Sequence, residues 1–376
     1  MNFSDIASPQ SVGMNADTLT DIQRIVTAQV ADGLTLGTQL VVARHGQVVL
    51  DLALGTARRE PATPVTHGTL FYSWSVVKPL TALCVYHLIE CGQLALDDPL
   101  VKVWPEFGAH GKDGVTVRHV LSHRAGFPIT PPTLKWYQYA EWETVMRALE
   151  ETELTFAPGS AAQYHALTFG WALGEVVRRV DGRAIDAFMR DEIFAPLQMR
   201  DSYLKLPEAE LGRAVELVAP ESFNDGYQAT RAWNLPLMRQ AVIPAAGLHS
   251  TARDLARFYQ AMLNGGELDG ARVCAAESIT QARAPSYTAG ERERESNVPA
   301  HFGHGFHLGG YAESSWGGAR STARTFGHNG WATNAGWADP DLDVLCVFLN
   351  NGMLPDEANH QRLRAVCDLV WEACAG

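Results

Sequence analysis

The chain has 376 residues, of which 46% are hydrophobic, and this is enough to bury a large core in one or two domains. Its formal net charge of −12 argues against nucleic acids and anionic membrane surfaces as partners. The sequence contains no apolar run of about 18 residues, the length that a transmembrane helix needs, so we expect no membrane span.

The N-terminal residues 1–5 lack a basic segment followed by an apolar run, so we expect no signal peptide. The six cysteines have no zinc-type spacing, and several fall on apolar faces of predicted elements. We interpret them as reduced thiols in the core of a cytoplasmic protein. The residue pattern does not indicate an oligomeric state.

The predicted elements begin with a helix over residues 17–31 and a β-hairpin at 38–52 around a His-Gly turn. An apolar helix that starts near Ser75 and ends at Gly92 follows. The remaining predicted elements are a mainly helical segment from 96 to about 235, a short strand near 202–206, a helix at 254–263, a solvated charged loop at 284–300, strands at 301–308, 325–338 and 344–350, and a C-terminal helix.

Strands near both termini with helices between them favour an α+β fold. In such a fold one antiparallel sheet is assembled from both ends of the chain and is flanked by helices. We expect residues 1–95 and 236–376 to form a discontinuous sheet domain. Residues 96–235 would form a mainly helical domain inserted beside it.

Ser75 and Lys78 form a Ser-x-x-Lys motif at the start of the apolar helix. Residues three apart share a helix face, so the amine can reach the hydroxyl and act as its base. Pro79 is tolerated in a first helical turn, which places the Ser75 N–H where it has no intrahelical partner and can bind an anion. An N-cap serine and a surface lysine are the structural alternatives. The motif predicts a serine hydrolase.

Ser202 and Lys205 match the same four-residue pattern. Their segment is predicted to be a strand, where residues three apart point to opposite faces. We therefore discard this second match.

Tyr164 lies in a loop just before a predicted helix, where its side chain could project into a cleft and handle a proton. The neighbouring His165 competes for this role, and the spacing does not separate the two. The segment His328-Asn329-Gly330-Trp331 lies on a predicted strand, where glycine allows a ligand to approach the backbone. It could supply a second N–H to an oxyanion, or it could be a β-bulge without catalytic duty.

These segments resemble the serine β-lactamase and penicillin-binding-protein superfamily, particularly its class C branch and the family VIII carboxylesterases. The ordered matches are at residues 75–79, 92–99, 121–126, 247–255 and 327–330, and they span nearly the whole chain. The resemblance implies that Ser75 is acylated while Lys78 and Tyr164 share the proton transfer. It further implies an oxyanion hole made by the N–H groups of Ser75 and Trp331.

Two departures from the family pattern matter for the substrate. The family's Tyr-x-Asn is Tyr164-His165-Ala166 here, and its Lys-Thr-Gly is His328-Asn329-Gly330. The amide that would hold a β-lactam side chain and the cation that would attract a carboxylate are therefore both missing. The changes favour uncharged small-molecule esters, and hence a serine carboxylesterase that forms an acyl-enzyme on Ser75.

Three other functions remain open at this point. An acyltransferase would pass the same acyl group to an alcohol or amine, and a β-lactamase or D-amino-acid peptidase would use the same serine. A binding protein that kept the fold without catalysis is the third. We expect no metal and no cofactor, because His301 and His304 would face opposite ways on a strand, with packing as their more common role.

Two further groups of side chains have structural interpretations. His123 is expected to support a loop by hydrogen bonding. The aromatic residues between 136 and 142 could line an acyl pocket, but at this spacing they more often belong to a core. They are Trp136, Tyr137, Tyr139 and Trp142.

Overall fold

The computed structural model describes residues 1–311 and 316–375. The strands of these residues are β1 (Gly37–Arg44), β2 (Gln47–Arg58), β3 (Thr63–Pro64), β4 (Phe71–Tyr72), β5 (His249–Ser250), β6 (Glu267–Leu268), β7 (Ala271–Arg272), β8 (His307–Leu308), β9 (Phe326–Asn329), β10 (Ala335–Asp339) and β11 (Val344–Asn350).

The α-helices are α1 (Ala16–Ala31), α2 (Lys78–Glu90), α3 (Val117–Leu121), α4 (Trp142–Glu151), α5 (Thr168–Asp181), α6 (Ile185–Met189), α7 (Asn224–Trp233), α8 (Pro236–Arg239), α9 (Ala252–Leu263), α10 (Ala276–Ala282) and α11 (Asp356–Ala375). Short 3₁₀ segments connect several of them, and the one that matters here is Trp74–Val77, directly before α2.

Seven of the described strands form one antiparallel sheet in the order β3-β2-β1-β11-β10-β9-β8. At its centre β1 pairs with β11, from Thr38 opposite Asn350 to Arg44 opposite Val344. The predicted α+β fold, with a sheet assembled from both ends of the chain, is therefore confirmed.

Both faces of this sheet are covered, which explains why β11 is a continuous apolar run rather than an alternating one. The terminal helices α1 and α11 pack together over one face, where Val26 and Val370 belong to the same hydrophobic cluster as Phe348. Helix α9 packs on the other face, against side chains such as Val347. Every β11 residue is buried as a result.

Helix α2 is apolar on nearly all sides and is therefore buried in the protein interior. It packs against α5 and α6. Pro79 occupies its first turn, and Gly92, just beyond its end, has a φ of +69°, as expected of a glycine that follows a helix. The predicted position of Ser75 near the start of this helix is correct.

The strands predicted at 301–308 and 325–338 are wrong in extent. Only β8 is strand in the first segment, because the chain turns at residues 303–306, where the Gly303 N–H donates to Phe306 O at 2.9 Å and Gly305 has a φ of +85°. The second segment is two strands, β9 and β10. A turn closed by Gly330 N–H donating to Asn334 O at 2.8 Å separates them.

The short strand predicted around Ser202 is also wrong, since Tyr203 forms only an isolated bridge with His249. Ser202 is buried and donates a hydrogen bond to Asp254 Oδ2 at 2.9 Å, whereas Lys205 is exposed. Strand alternation therefore does not separate Ser202 from Lys205, but the two side chains still lie in different environments.

The six cysteines are all free thiols, and five of them are buried. Cys91 is the exception to the predicted core location, because it follows the last residue of α2 and is exposed. No helix among residues 1–311 and 316–375 is long and apolar enough to cross a bilayer. The domain boundaries at 95 and 235 stay a prediction.

Candidate active site

Ser75 lies in the first turn of the 3₁₀ segment Trp74–Val77, where a backbone N–H has no intrahelical partner. The preceding Trp74 has a φ of +51°, a left-handed conformation that non-glycine residues adopt only under strong structural constraint. That constraint includes the hydrogen bond from Ser73 N–H to Leu248 O at 2.8 Å. The serine is thus presented on a fixed turn at the entrance to a buried helix.

Lys78 is fully buried, and its Nζ lies 3.0 Å from Ser75 Oγ. Two main-chain carbonyls, Ala166 O at 2.8 Å and Ala245 O at 2.9 Å, accept its other hydrogen bonds. Burial lowers the pKa of this amine well below its usual range. A neutral amine has two N–H groups and one lone pair, so a deprotonated Lys78 that donates to both carbonyls would direct its lone pair at the Ser75 hydroxyl.

Tyr164 donates a hydrogen bond from its Oη to Ser75 Oγ at 2.7 Å. Its ring lies beneath Lys78 Nζ, which is 4.7 Å from the ring centroid. Burial is the largest influence on the Tyr164 hydroxyl and raises its pKa, while the hydrogen bond to Ser75 lowers it. Ser75, Lys78 and Tyr164 therefore form one hydrogen-bonded group.

His165 does not share these contacts. The His165 Nε2 accepts a hydrogen bond from the Ala125 main-chain N–H at 3.1 Å. The main-chain N–H of His165 donates to His123 Nδ1 at 3.0 Å. Burial lowers the pKa of His165 to about 3, so the ring is a neutral acceptor. His123 supports the loop that carries Tyr164 by this hydrogen bond, as predicted from the sequence.

The turn after β9 packs against the residues that precede the serine. A Cβ added to Gly330 would lie 2.7 Å from Ser73 O, so only glycine permits this approach. The Trp331 ring contacts Trp74 edge to face, with 5.3 Å between centroids. The backbone around Gly330 and Trp331 is thus next to the Ser75 turn.

His328 is buried, with 1% of its surface exposed, and burial lowers its pKa well below the usual value. Its ring stacks on His307 at a centroid distance of 3.9 Å and lies 5.9 Å from the Tyr164 ring. Its Nε2 has no hydrogen-bond partner among the described residues. A neutral imidazole therefore lies beside the tyrosine.

The three histidines between 301 and 307 contact three different partners. His304 Nδ1 lies 2.6 Å from Tyr86 Oη, the His301 ring stacks on Tyr287 at 4.3 Å, and His307 stacks on His328. Within residues 1–311 and 316–375, no group of three or more His, Cys, Asp or Glu side chains is arranged to hold a metal ion.

The aromatic residues of the 136–142 segment divide into two pairs. Tyr139 and Trp142 are half-buried and pack against the main hydrophobic core, in agreement with the core interpretation. Trp136 and Tyr137 are 43% and 52% exposed, because they lie on a surface 3₁₀ turn. A different aromatic group, which the spacing did not indicate, surrounds Trp74. Its ring lies 4.9 Å from those of both Tyr72 and Trp233.

Two side chains near the site were missed in the sequence. Asn334 donates to Tyr72 O at 2.8 Å and accepts from Asn350 N–H at 2.7 Å, which joins the turn after β9 to the strand before Ser75. Glu293 accepts a hydrogen bond from the Tyr164 N–H at 3.0 Å. The sequence does not indicate this contact, because a run of alternating charges is typical of a solvated surface.

A family model described as "Beta-lactamase" matches residues 22–369. The chain belongs to the β-lactamase family. The resemblance to the serine β-lactamase and penicillin-binding-protein superfamily is thereby confirmed.

Two curated relatives and two solved structures illustrate the similarity. The chain is 30% identical to "Esterase/beta-lactamase LipL" of Mycobacterium tuberculosis, over 90% of this chain and 83% of the relative. It is 29% identical to "Esterase EstB" of Burkholderia gladioli, over 84% and 86% of the respective chains. The structure of a family VIII carboxylesterase superposes with a TM-score of 0.82 at 27% identity, covering 96% of this chain and 99% of the other. A penicillin-binding-protein homologue from Caulobacter crescentus gives 0.80 at 31% identity, covering 95% and 99%.

Proposed function

We propose that this protein is a serine carboxylesterase that cleaves small, uncharged carboxylic esters through an acyl-enzyme on Ser75. The observation that carries the proposal is the contact of Ser75 Oγ with both Lys78 Nζ, at 3.0 Å, and Tyr164 Oη, at 2.7 Å. Such a serine has a base and a second proton-handling group within hydrogen-bond reach.

In the proposed reaction, the neutral Lys78 amine takes the hydroxyl proton as Ser75 Oγ forms a bond to the ester carbonyl carbon. The resulting oxyanion would accept hydrogen bonds from the N–H groups of Ser75 and Trp331. The carbon–oxygen bond to the leaving alcohol then breaks, and this oxygen receives a proton through Tyr164. A water molecule then attacks the acyl-enzyme while Lys78 and Tyr164 take its proton. This proton passes to Ser75 Oγ as the carboxylic acid is released.

Uncharged substrates are favoured by the residues beside this group. The buried His328 is neutral, so it supplies no cation for a substrate carboxylate. Ala166 stands where the related lactamases carry an asparagine, so no side-chain amide is present there, and its main-chain oxygen accepts a hydrogen bond from Lys78. The names of two relatives, "Esterase/beta-lactamase LipL" and "Esterase EstB", support an ester as the substrate.

Labelling and turnover test the proposal together. The protein is incubated with a short-chain p-nitrophenyl ester, and separately with a serine-directed phosphonate followed by peptide mapping. We expect ester turnover and a phosphonate on Ser75. A labelled peptide that excludes Ser75, or failure of any acylating probe to react, would contradict the proposal.

Two alternatives use the same acyl-enzyme and need their own measurements. Product analysis with and without an added alcohol separates hydrolysis from acyl transfer, because a transferase would form the new ester in preference to the acid. Nitrocefin turnover comparable with ester turnover would instead favour a β-lactamase.

Replacing His328 by alanine should affect substrate positioning more than chemistry. We expect kcat/KM for a p-nitrophenyl ester to fall by about tenfold, mainly through a higher KM, because His328 lies beside Tyr164 without a hydrogen bond to Ser75. Steady-state kinetics of the purified variant measure this. A loss of kcat as large as that from changing Lys78 would contradict the assigned role.

The six free cysteines support a location in a reducing compartment, and we propose the cytoplasm. Fractionation of the native host cells with an antibody against the protein tests this location.

A further inference from the structure

The charged loop of residues 284–300 is attached to the segment that carries the candidate tyrosine. The Arg294 main-chain N–H donates to Ala162 O at 3.0 Å. Arg124 Nη2 donates to both carboxylate oxygens of Glu291, each at 2.7 Å. The loop is therefore part of the wall of the site rather than a freely solvated segment.

Within this loop Glu293 is only 7% exposed, although its sequence neighbours Arg292 and Arg294 are exposed. Its Oε2 accepts hydrogen bonds from the Tyr164 N–H at 3.0 Å and from Gln163 Nε2 at 3.3 Å. Burying a carboxylate costs free energy unless hydrogen bonds compensate, so these contacts fix where this side chain lies.

The main chain on both sides of Tyr164 Cα is consequently held by side chains from elsewhere in the fold. Glu293 binds the Tyr164 N–H, and His123 Nδ1 accepts from the N–H of the next residue, His165. Between these two anchors the Tyr164 side chain extends to Ser75, 2.7 Å from Oη to Oγ. Loss of one anchor would leave the tyrosine loop free to shift.

We propose that Glu293 is a positioning residue. It holds the Tyr164 main chain where the hydroxyl reaches Ser75, and it places a negative charge near the tyrosine. This inference rests on the proposed function, because it presumes that Tyr164 handles a proton for Ser75. Glu293 itself touches neither Ser75 nor, through its carboxylate, the Tyr164 hydroxyl. It acts through the tyrosine main chain and through its charge.

The charge of Glu293 affects the pKa of the Tyr164 hydroxyl in a definite direction. After burial, which raises the pKa of Tyr164, and the Ser75 hydrogen bond, which lowers it, the Glu293 carboxylate raises it further. Burial also raises the pKa of Glu293 itself. Among the described residues, the titratable groups that contact the Tyr164 ring or line the same cavity as Glu293 are Lys78, His123, His301, His307, Tyr311, His328 and His360. The exposed Glu295 carboxylate acts on Glu293 itself, whose pKa it raises further.

Two substitutions separate position from charge. Glu293→Ala removes the acceptor for the Tyr164 N–H, and we expect kcat for a p-nitrophenyl ester to fall roughly 10- to 100-fold with little change in KM, the scale of a misplaced catalytic group. Glu293→Gln keeps an oxygen acceptor and removes the charge. We expect its kcat to stay within about threefold of the wild type.

The pH profile is the measurement that a merely structural role would not affect. In Glu293→Gln the limb of the kcat/KM profile that reports Tyr164 should move to lower pH, because the charge that raised its pKa is gone. Glu295→Ala is the matched control. Its side chain is exposed, and its main-chain N–H donates to Gln163 Oε1 at 2.7 Å independently of that side chain.

Unaltered kcat in Glu293→Ala together with an unshifted limb in Glu293→Gln would overturn the proposal. Thermal unfolding shows whether each variant is folded, and if Glu293→Ala is not, the limb of Glu293→Gln decides alone. Phosphonate labelling of wild-type Ser75 keeps the two proposals distinct. An unlabelled serine defeats the proposed function, whereas a labelled serine with unaffected Glu293 variants defeats only this inference.

Discussion

Replacing Lys78 by alanine will lower kcat for ester hydrolysis by roughly 10²–10⁴, the usual scale for loss of a general base. The reason is that Lys78 Nζ is 3.0 Å from Ser75 Oγ and is buried where its charged form is disfavoured. Lys78→Arg will not restore activity, because a guanidinium cannot be deprotonated at the working pH. Steady-state kinetics of both variants with one p-nitrophenyl ester measure the effect.

The control for this prediction is Lys102→Ala, which removes a lysine whose side chain is 55% exposed and paired with Asp98. Its kcat should stay close to that of the wild type. Thermal unfolding should accompany the Lys78 variants, since Ala166 O and Ala245 O lose their donor. If Lys78→Arg keeps a near-native kcat, Lys78 is only an electrostatic neighbour and another group removes the proton.

Replacing Tyr164 by phenylalanine will lower kcat by roughly 10²–10³, because only the hydroxyl that donates to Ser75 Oγ is removed. The ring contacts, such as the stacking on Phe302 at 6.2 Å, remain, so we expect folding to be preserved. Single-turnover release of p-nitrophenol shows whether the loss occurs in formation of the acyl-enzyme.

His165→Gln is the comparison that resolves the ambiguity left by the sequence. Glutamine can keep an acceptor for the Ala125 N–H, which is the contact that His165 Nε2 makes. We expect kcat to change by no more than about fivefold. If His165→Gln loses activity and Tyr164→Phe does not, then His165 rather than Tyr164 transfers the proton for Ser75.

The sequence predicted those features that depend on local periodicity and on chain order. The apolar run of β11 and the amphipathic helix α1 were predicted because burial on a helix or strand face leaves a pattern of fixed period. Ser75 and Lys78 were found because their contact is made within one helical turn, so that spacing alone brings the side chains together.

The features that were missed depend on contacts between distant segments. Tyr164 and His165 are adjacent in sequence, and only the three-dimensional contacts show that the tyrosine reaches Ser75 while the histidine binds Ala125. Glu293 lies 129 residues from Tyr164, within a charge pattern that normally means solvent. The turn at Gly330 was hidden inside an apolar, glycine-containing run that also fits one long strand.

The pairing of β1 with β11 has a consequence for synthesis on the ribosome. Arg44 of β1 pairs with Val344 of β11, so 300 further residues (344 − 44) are synthesised after β1 before its partner strand begins. At roughly 5–20 residues per second this wait is on the order of 15–60 s. During it, the apolar β1–β2 hairpin has only the two-residue strand β3 beside it, so the edge of β1 is unpaired, and so small a sheet is only marginally stable in water. The nascent chain is therefore expected to need a holding chaperone, and a premature stop before β11 should give an aggregating product rather than a smaller active one.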